Sequence, residues 1–518
     1  MAKTKGLKVY FVGAGPGPKG LLTLLAKDAL SEADVIVSDI GVSMEVLSLA
    51  QKGSKVIKVG KKDSQVTSKE GTEGISKALK GKGNIVRLVT GDPFTLSQCG
   101  EEAAFLEKKG IDYEVIPGIL EQVAASSYAG VPLSRQGKEK TVTLARSKGC
   151  GLDGEVLKRS DVLAVSVYST GLKTITKDLI KSGALKTLPV TVVKNVGTPM
   201  EVSIRSTVSE ISDRVKEAGL EIPYTLIVEG AKKGKPSSLN LKSWYEEKPL
   251  FGKKVMVTRA EEQSGTFIKA LTSEGALPIA CPTIKINPPK SFADVDKGIK
   301  RLTSEGKPYY DWIIFTSANG VKCFAERLES LKLDVRILKG VKVCTIGPKT
   351  EKSVNEILGI SVDMTPKEYV AEAVLKEFKK PSNDGIKGKK FFLPRATEAR
   401  EILPQEIKKA GGTIDVAYVY KTVRPKKEAE EAKKLIKNGG VDVITFTSSS
   451  TVTNFVEGYK KGELQKVIGN TVVACIGPIT RDTAIKNGLQ VHIMAKDYTI
   501  EGLIEVLNTY YSKERAKN

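Results

Sequence analysis

The second half of the chain contains itself twice. FTSANGVKCF, beginning at Phe315, returns as FTSSSTVTNF at Phe446, 131 residues on. TIGPKT, with Gly347, returns as CIGPIT, with Gly477, after 130 residues, and KEYVAEAVLKEF returns as KDYTIEGLIEVL, with Tyr369 and Tyr498 129 apart. VMVTRAEE and FFLPRATE align through Arg259 and Arg395. Such nearly constant spacing means one supersecondary plan used twice. Each motif joins a short apolar strand (WIIFTS, VITFTS) to a Ser/Thr/Asn/Gly-rich turn and a helix. Each copy therefore predicts an α/β lobe built on a parallel sheet, with a cleft between the two lobes.

The turns have a physical job available. A Ser/Thr/Asn cluster caps the following helix while hydroxyls and backbone N–H groups stay exposed, and a helix N-terminus of that kind takes carboxylates. One such turn is equally well explained as a cap alone, but several facing one cleft point to anion binding. The candidate carboxylate-binding residues are Thr258, Arg259, Ser317, Asn319, Thr350, Ser448, Ser449 and Thr480. Arg259 and Arg395 fit a second role, tying strand ends to neighbouring loops. The single histidine, His492, lies in the alternating strand LQVHIMA and reads as structural.

At 518 residues the chain exceeds one ordinary core. The joint is KPLFGKKVMVTRAEEQ, Lys248 to Gln263, a polar hinge that runs into a fresh buried strand. It divides the chain into a first domain over 1–245, a linker over 246–252 and a second domain over 253–518. In the first domain the strand Val9–Val12 enters GAGPGPKG and then the helix LLTLLAKDAL, a nucleotide-type loop without G-x-G-x-x-G spacing or a Walker lysine. Asp39 ends the strand of DVIVSDIG, where a carboxylate is well placed for a ligand of an open α/β sheet or for a simple turn. Gly91-Asp92-Pro93 ends another strand, in NIVRLVTGDPF.

Six scattered cysteines with no C-x-x-C pair suit a reducing cytoplasm and offer no metal site. The start, MAKTKGLKVYFVGAG, lacks the apolar core of a signal peptide. No apolar run reaches the ~18 residues of a membrane span. The net charge of +22 reads first as lysines on a solvated surface; nucleic acid, an anionic surface or a polyanionic small molecule are the other partners such a charge suits, and the aromatic-interleaved basic stripe of a nucleic-acid binder is missing.

From residue 9 to about 230, the pieces VYFVGAGPG, SEADVIVSD, GDPF, GEEAAFLEKKGI, VIPGI, YAGVPL and TGLK resemble, in order, the tetrapyrrole (precorrin) methyltransferases. The resemblance implies a two-lobed fold, commonly dimeric, that methylates uroporphyrinogen III from S-adenosylmethionine to give precorrin-2. The cofactor would lie against Gly13, Gly15, Pro16, Gly17, Gly91, Asp92, Thr170 and Gly171, with Asp39 facing the tetrapyrrole as a catalytic residue. Five positions depart from the family pattern. Ile40 and Gln98 replace arginines, Cys99 a glycine, Arg135 a histidine and Thr170 a methionine. Each lost cation removes a charge-assisted bond of ~1.5–3 kcal/mol; Lys61, Lys62 and Arg135 are the candidate substitutes.

The second half resembles uroporphyrinogen-III synthase through VTRAEEQ, DWIIFTSANGV, VKVCTIGPKT, LPRATEAREILP, VAYVYKT, DVITFTSSSTVTNF, ACIGPIT and DYTIEGL. The resemblance implies one lobe over 253–286 plus 421–518 and another over 287–420. It also implies closure of hydroxymethylbilane to uroporphyrinogen III with inversion of ring D, without a cofactor. That is catalysis by orientation, which needs no strong nucleophile. Tyr420, in YVYKT, matches the family tyrosine that assists loss of the hydroxyl; as a phenol with an ordinary pKa of ~10 it donates without ionising. As a residue of an apolar strand it is equally an ordinary packing tyrosine. Two readings stay open: a bifunctional cyclase and methylase, or an active synthase joined to a methyltransferase-like domain with altered or no activity. The intact motif set argues against a third, a two-lobed anion-binding protein without catalysis.

Overall fold

The structure, a computed structural model, describes residues 8–61, 66–81, 83–136, 141–147, 159–168, 171–230, 241–302, 308–366, 371–380, 385–397, 402–460 and 462–516, the side chains of 261–263 and 371 apart. Lys62, Thr170 and Tyr369 lie outside these residues. There are two compact units, Met1–Val255 with Phe267–Ile279 and Glu501–Asn518, and Met256–Thr266 with Ala280–Ile500. Among the described residues no helix is long and apolar enough to cross a membrane.

The first unit carries two sheets. Strands β1 (Val9–Gly13), β2 (Val35–Asp39), β3 (Lys55–Val59), β4 (Ile85–Val89) and β5 (Tyr113–Ile116) form a parallel sheet in the order β3-β2-β4-β1-β5. Apolar runs such as VYFVG and IVRLV are buried on both faces, as strands covered by crossover helices must be. Phe11, Val37 and Ile75 fill one face; Val12, Ile36 and Leu88 fill the other. Strands β6 (Val142–Ser147), β7 (Val162–Val167), β8 (Pro189–Lys194), β9 (Val202–Thr207) and β10 (Tyr224–Glu229) form a mixed sheet in the order β6-β7-β10-β8-β9. Only β6 and β7 are parallel neighbours in it.

The remaining strands are β11 (Lys254–Val257), β12 (Leu277–Ala280), β13 (Lys285–Asn287), β14 (Trp312–Phe315), β15 (Lys342–Thr345), β16 (Lys390–Ala396), β17 (Thr413–Val423), β18 (Val443–Phe446), β19 (Val472–Cys475) and β20 (Ile493–Met494). They form two five-stranded sheets, β12-β11-β18-β19-β20 and β13-β17-β16-β14-β15.

The duplication read in the sequence is visible as repeated backbone geometry. After β14, Ser317 (φ −162°, ψ 152°) caps the helix Ala318–Ser330; after β18, Ser448 (φ −165°, ψ 160°) caps the helix Ser449–Val456. After β15 and β19, Gly347 and Gly477 stand at the same extended dihedrals, and each precedes a proline that opens a helix. Proline suits that first position because its missing N–H would have no partner there. Parallel pairing within each copy, β14 with β15 and β18 with β19, completes the match.

Candidate active sites

In the first unit the ends of β1, β4 and β5 are locked together by missing side chains. A Cβ on Gly118 would lie 2.1 Å from the Gly91 carbonyl oxygen, and one on Gly13 would lie 2.5 Å from the Gly118 Cα. Gly15 and Gly91 exchange backbone hydrogen bonds of 3.2 and 2.9 Å, both with positive φ. Asp92 pins the assembly, accepting from the amides of Gly118 (3.0 Å) and Phe94 (2.9 Å).

Above this junction lies a cavity of about 510 Å³, within the usual range for a small-molecule site. Gly15, Pro16, Gly17, Gly91, Asp92 and Asp39 all line it, as do Ile40 and Gln98. Gly13 is packed beneath against Gly118 and contributes closeness of backbone rather than lining. Gly171 caps the helix Leu172–Lys181 and is not among the lining residues. A glycine loop with backbone free to approach, beside a pinned aspartate, fits a nucleoside cofactor such as S-adenosylmethionine. Gln98 has its side-chain oxygen on the Ser68 amide at 2.6 Å.

Asp39 is not a free carboxylate. Its Oδ1 accepts from Arg87 Nη1 at 2.6 Å, and its Oδ2 lies 3.4 Å from the Thr90 amide. Arg87, only 1% exposed, also makes a two-pronged pair with Glu102, Nε to Oε2 at 2.7 Å and Nη2 to Oε1 at 3.0 Å. Burial alone would lower the guanidinium, yet the Asp39 and Glu102 charges hold it above its ordinary value. The Cys99 thiol beside them is pushed up to about 12, by burial first and then by Glu102, so it stays protonated. On the far wall, Glu121 faces the hydroxyls of Ser166 (3.5 Å) and Tyr168 (3.4 Å), and the Arg146 guanidinium lies 5.2 Å from the Tyr168 ring centre. Burial raises the pKa of Glu121. Arg87, Glu121, Arg146 and Tyr168 were not singled out from the sequence; the one available signal was a charge inside an otherwise apolar strand, NIVRLV.

In the second unit the structure joins two of the candidates directly. The Tyr420 hydroxyl, on a side chain 7% exposed, lies 3.1 Å from Ser317 Oγ, which also accepts from the Gly320 amide at 3.0 Å. Asn319, two residues on, lines a cavity of about 330 Å³ with Lys322, Arg327 and Asn287. Ser448 accepts from the Thr451 amide, and Ser449 Oγ donates to the Ile479 carbonyl at 3.3 Å, linking two helix starts. Thr350 and Thr480 occupy the same place in their helices and are buried. Thr258 is corrected by the structure. It is fully buried, with its hydroxyl on the Thr445 carbonyl at 2.7 Å, so it ties the sheet and offers a ligand nothing. Its neighbour Arg259 is partly exposed, and its charge, after desolvation, depresses the pKa of Lys349, so two cations face common ground. Arg395 is buried. His492 accepts from the Val473 amide through Nδ1 at 3.1 Å, a sheet contact.

A family model for tetrapyrrole (corrin/porphyrin) methylases matches residues 8–212, and one for uroporphyrinogen-III synthase HemD matches residues 265–505. The porphyrin biosynthesis protein HemD of Ruminiclostridium josui is 30% identical over 511 residues, spanning 96% of this chain and 97% of that protein. The uroporphyrinogen-III C-methyltransferase of Bacillus subtilis strain 168 is 32% identical over 343 residues, 64% of this chain and 68% of that one. A solved structure of the uroporphyrin-III C-methyltransferase of Thermus thermophilus, complexed with S-adenosylhomocysteine, is 30% identical, with a TM-score of 0.37 over 43% of this chain and 98% of that one.

Proposed function

We propose two consecutive reactions for this chain, which belongs to the family of porphyrin biosynthesis proteins that join a tetrapyrrole methylase to a uroporphyrinogen-III synthase. Residues 253–518 cyclise hydroxymethylbilane to uroporphyrinogen III with inversion of ring D. Residues 1–245 methylate that product to precorrin-2, and 246–252 is the linker. The partners are polycarboxylate tetrapyrroles in the cytoplasm, with neither nucleic acid nor membrane, and the methylase half forms a homodimer.

The observation that carries the cyclase is the Tyr420–Ser317 contact at the head of a capped helix. Ser317 fixes the phenol, which donates a proton to the departing hydroxyl of the linear substrate. Arg259, Lys349 and the N–H groups at the helix starts hold its carboxylates. So held, the ends of the chain meet in one orientation faster than they close spontaneously to isomer I. No cofactor takes part.

The observation that supports the methylase is the convergence of Gly15–Gly17, Gly91-Asp92 and Asp39 on one cavity. S-adenosylmethionine, held against those glycines and Asp92, supplies an electrophilic methyl group. Asp39, fixed by Arg87, presents a carboxylate to the pyrrole N–H groups of the acceptor and accepts the proton that a methylated ring releases. A second reading, an active synthase joined to a methylase that has changed or lost its acceptor, is favoured by one fact: Ile40 and Gln98 bring no charge to the cavity.

Incubating the purified chain with hydroxymethylbilane, with and without S-adenosylmethionine, and separating the oxidised products decides between them. Isomer III without cofactor and a dimethylated product with it are expected. Isomer III in both tubes would favour the second reading, and isomer I alone would overturn the cyclase.

A further inference from the structure

Among the described residues three cations line the cavity of the first unit, and two are already engaged. Arg87 is gripped by Asp39 and Glu102, and Lys194 donates to the Glu221 carbonyl. Arg146 is different. It projects from the edge strand β6, its guanidinium backed by the Tyr168 ring, and its Nε is buried with no hydrogen-bond acceptor among the described residues. A buried guanidinium N–H without an acceptor is costly unless a ligand supplies one. The backing ring is itself steadied, because the Tyr168 hydroxyl turns to Glu121. Glu121 lies close enough to feel the Arg146 charge, yet it makes no hydrogen bond to Nε. The arrangement is a cation stacked on an aromatic face, with a planar donor edge left for a planar acceptor.

We propose that Arg146 is a carboxylate-binding residue of this cavity, pairing with a carboxylate of the bound ligand. Two sources carry that group: the acid side chains of the tetrapyrrole acceptor and the amino-acid portion of the cofactor. The inference rests on the methylase reading above, and it gives the cavity the positive charge that Ile40 and Gln98 do not.

Binding, rather than turnover, tests it in the full chain. Uroporphyrin III, the stable oxidised form of the acceptor, is titrated by fluorescence quenching, and S-adenosylhomocysteine by calorimetry. Arg146→Gln weakens one of the two about 10-fold or more, and Arg146→Lys recovers part of the loss, since it restores charge but not the fork. Weakening confined to uroporphyrin III assigns the acceptor's carboxylate; weakening confined to S-adenosylhomocysteine assigns the cofactor's. Arg146→Met keeps a long unbranched side chain without the charge and serves as the second variant should Gln disturb the fold, with the same expectation. A wild type that binds both ligands and variants that bind them equally well overturn this proposal alone. A wild type that binds neither ligand overturns the methylase reading and this proposal with it.

Discussion

Tyr420 and Ser317 come from elements 103 residues apart in sequence, yet their hydroxyls lie within 3.1 Å. The cost of removing the phenol oxygen separates chemistry from packing. Tyr420→Phe keeps the ring in its buried place and loses the neutral hydrogen bond with Ser317, about 1 kcal/mol of stability. A group that protonates the leaving hydroxyl matters far more to rate, so formation of isomer III is expected to fall about 10-fold or more. Chromatography of the products checks this, and a variant with wild-type turnover would reduce Tyr420 to a strand tyrosine. Glu201 offers a second test at this scale. Its carboxyl is raised to about 7, by burial first, with the Gly197 amide opposing and Glu246 adding, and its Oε1 is buried without a partner among the described residues. The ordinary value is 4.5, so between 4.5 and about 7 the folded state holds a proton that the unfolded chain has lost. Stability from this site is therefore present at low pH and is lost as pH rises through that window. Glu201→Gln, which keeps the acceptor for Gly197, is expected to flatten that slope and to add roughly 1–3 kcal/mol at about pH 8. Urea denaturation at about pH 5 and about pH 8 measures it; a gain at the lower pH only would reverse the sign.

At the level of elements, the tight crossing of β1, β4 and β5 makes its own prediction. In Gly118→Ala the new methyl meets the Gly91 oxygen at 2.1 Å and the Gly13 Cα at 2.7 Å, both backbone atoms with no room to yield. Overpacking of this kind costs about 1–3 kcal/mol or more, and it displaces the loop that lines the cavity. Loss of S-adenosylhomocysteine binding with a lowered melting temperature is expected. Gly171→Ala is the contrast, because its Cβ meets nothing within 4 Å among the described residues and its φ is −60°. An unchanged melt is expected there, and equal damage from both would mean that close approach is not what the Gly118 position requires. Such elements differ in how far they can be read from sequence. The strand–turn–helix repeats are legible because a cap is local: Ser317 and Ser448 reach only three residues ahead. Arg87 is illegible in its role because Asp39 lies 48 residues before it and Glu102 lies 15 after. Arg146 and Glu121 meet only when the second sheet is in place. Thr258 misleads for the converse reason: a threonine at a strand end looks exposed until the neighbouring strand brings the Thr445 carbonyl to it.

Over the whole molecule, the +22 charge suits the polycarboxylate substrates proposed for it. Lysines spread over solvent-facing helices need not touch a ligand to act, because their summed field raises the local concentration of a polyanion and its rate of encounter. Salt screens that field with a Debye length of ~10 Å at ~0.1 M, whereas contacts inside a cavity are screened much less. The two contributions therefore separate in kinetics. Raising ionic strength from about 0.05 to about 0.3 M is expected to lower kcat/KM for hydroxymethylbilane several-fold while kcat changes little. Uroporphyrinogen III should respond alike in the methylation assay, since it carries the same acid side chains. A flat kcat/KM across that range would leave the charge without a part in capture and confine electrostatic recognition to the few cations that reach the sites. A kcat that fell in step with kcat/KM would instead place the salt-sensitive contact in the transition state. That would point to Arg259 and Lys349, the partly desolvated pair of the second unit, rather than to the surface.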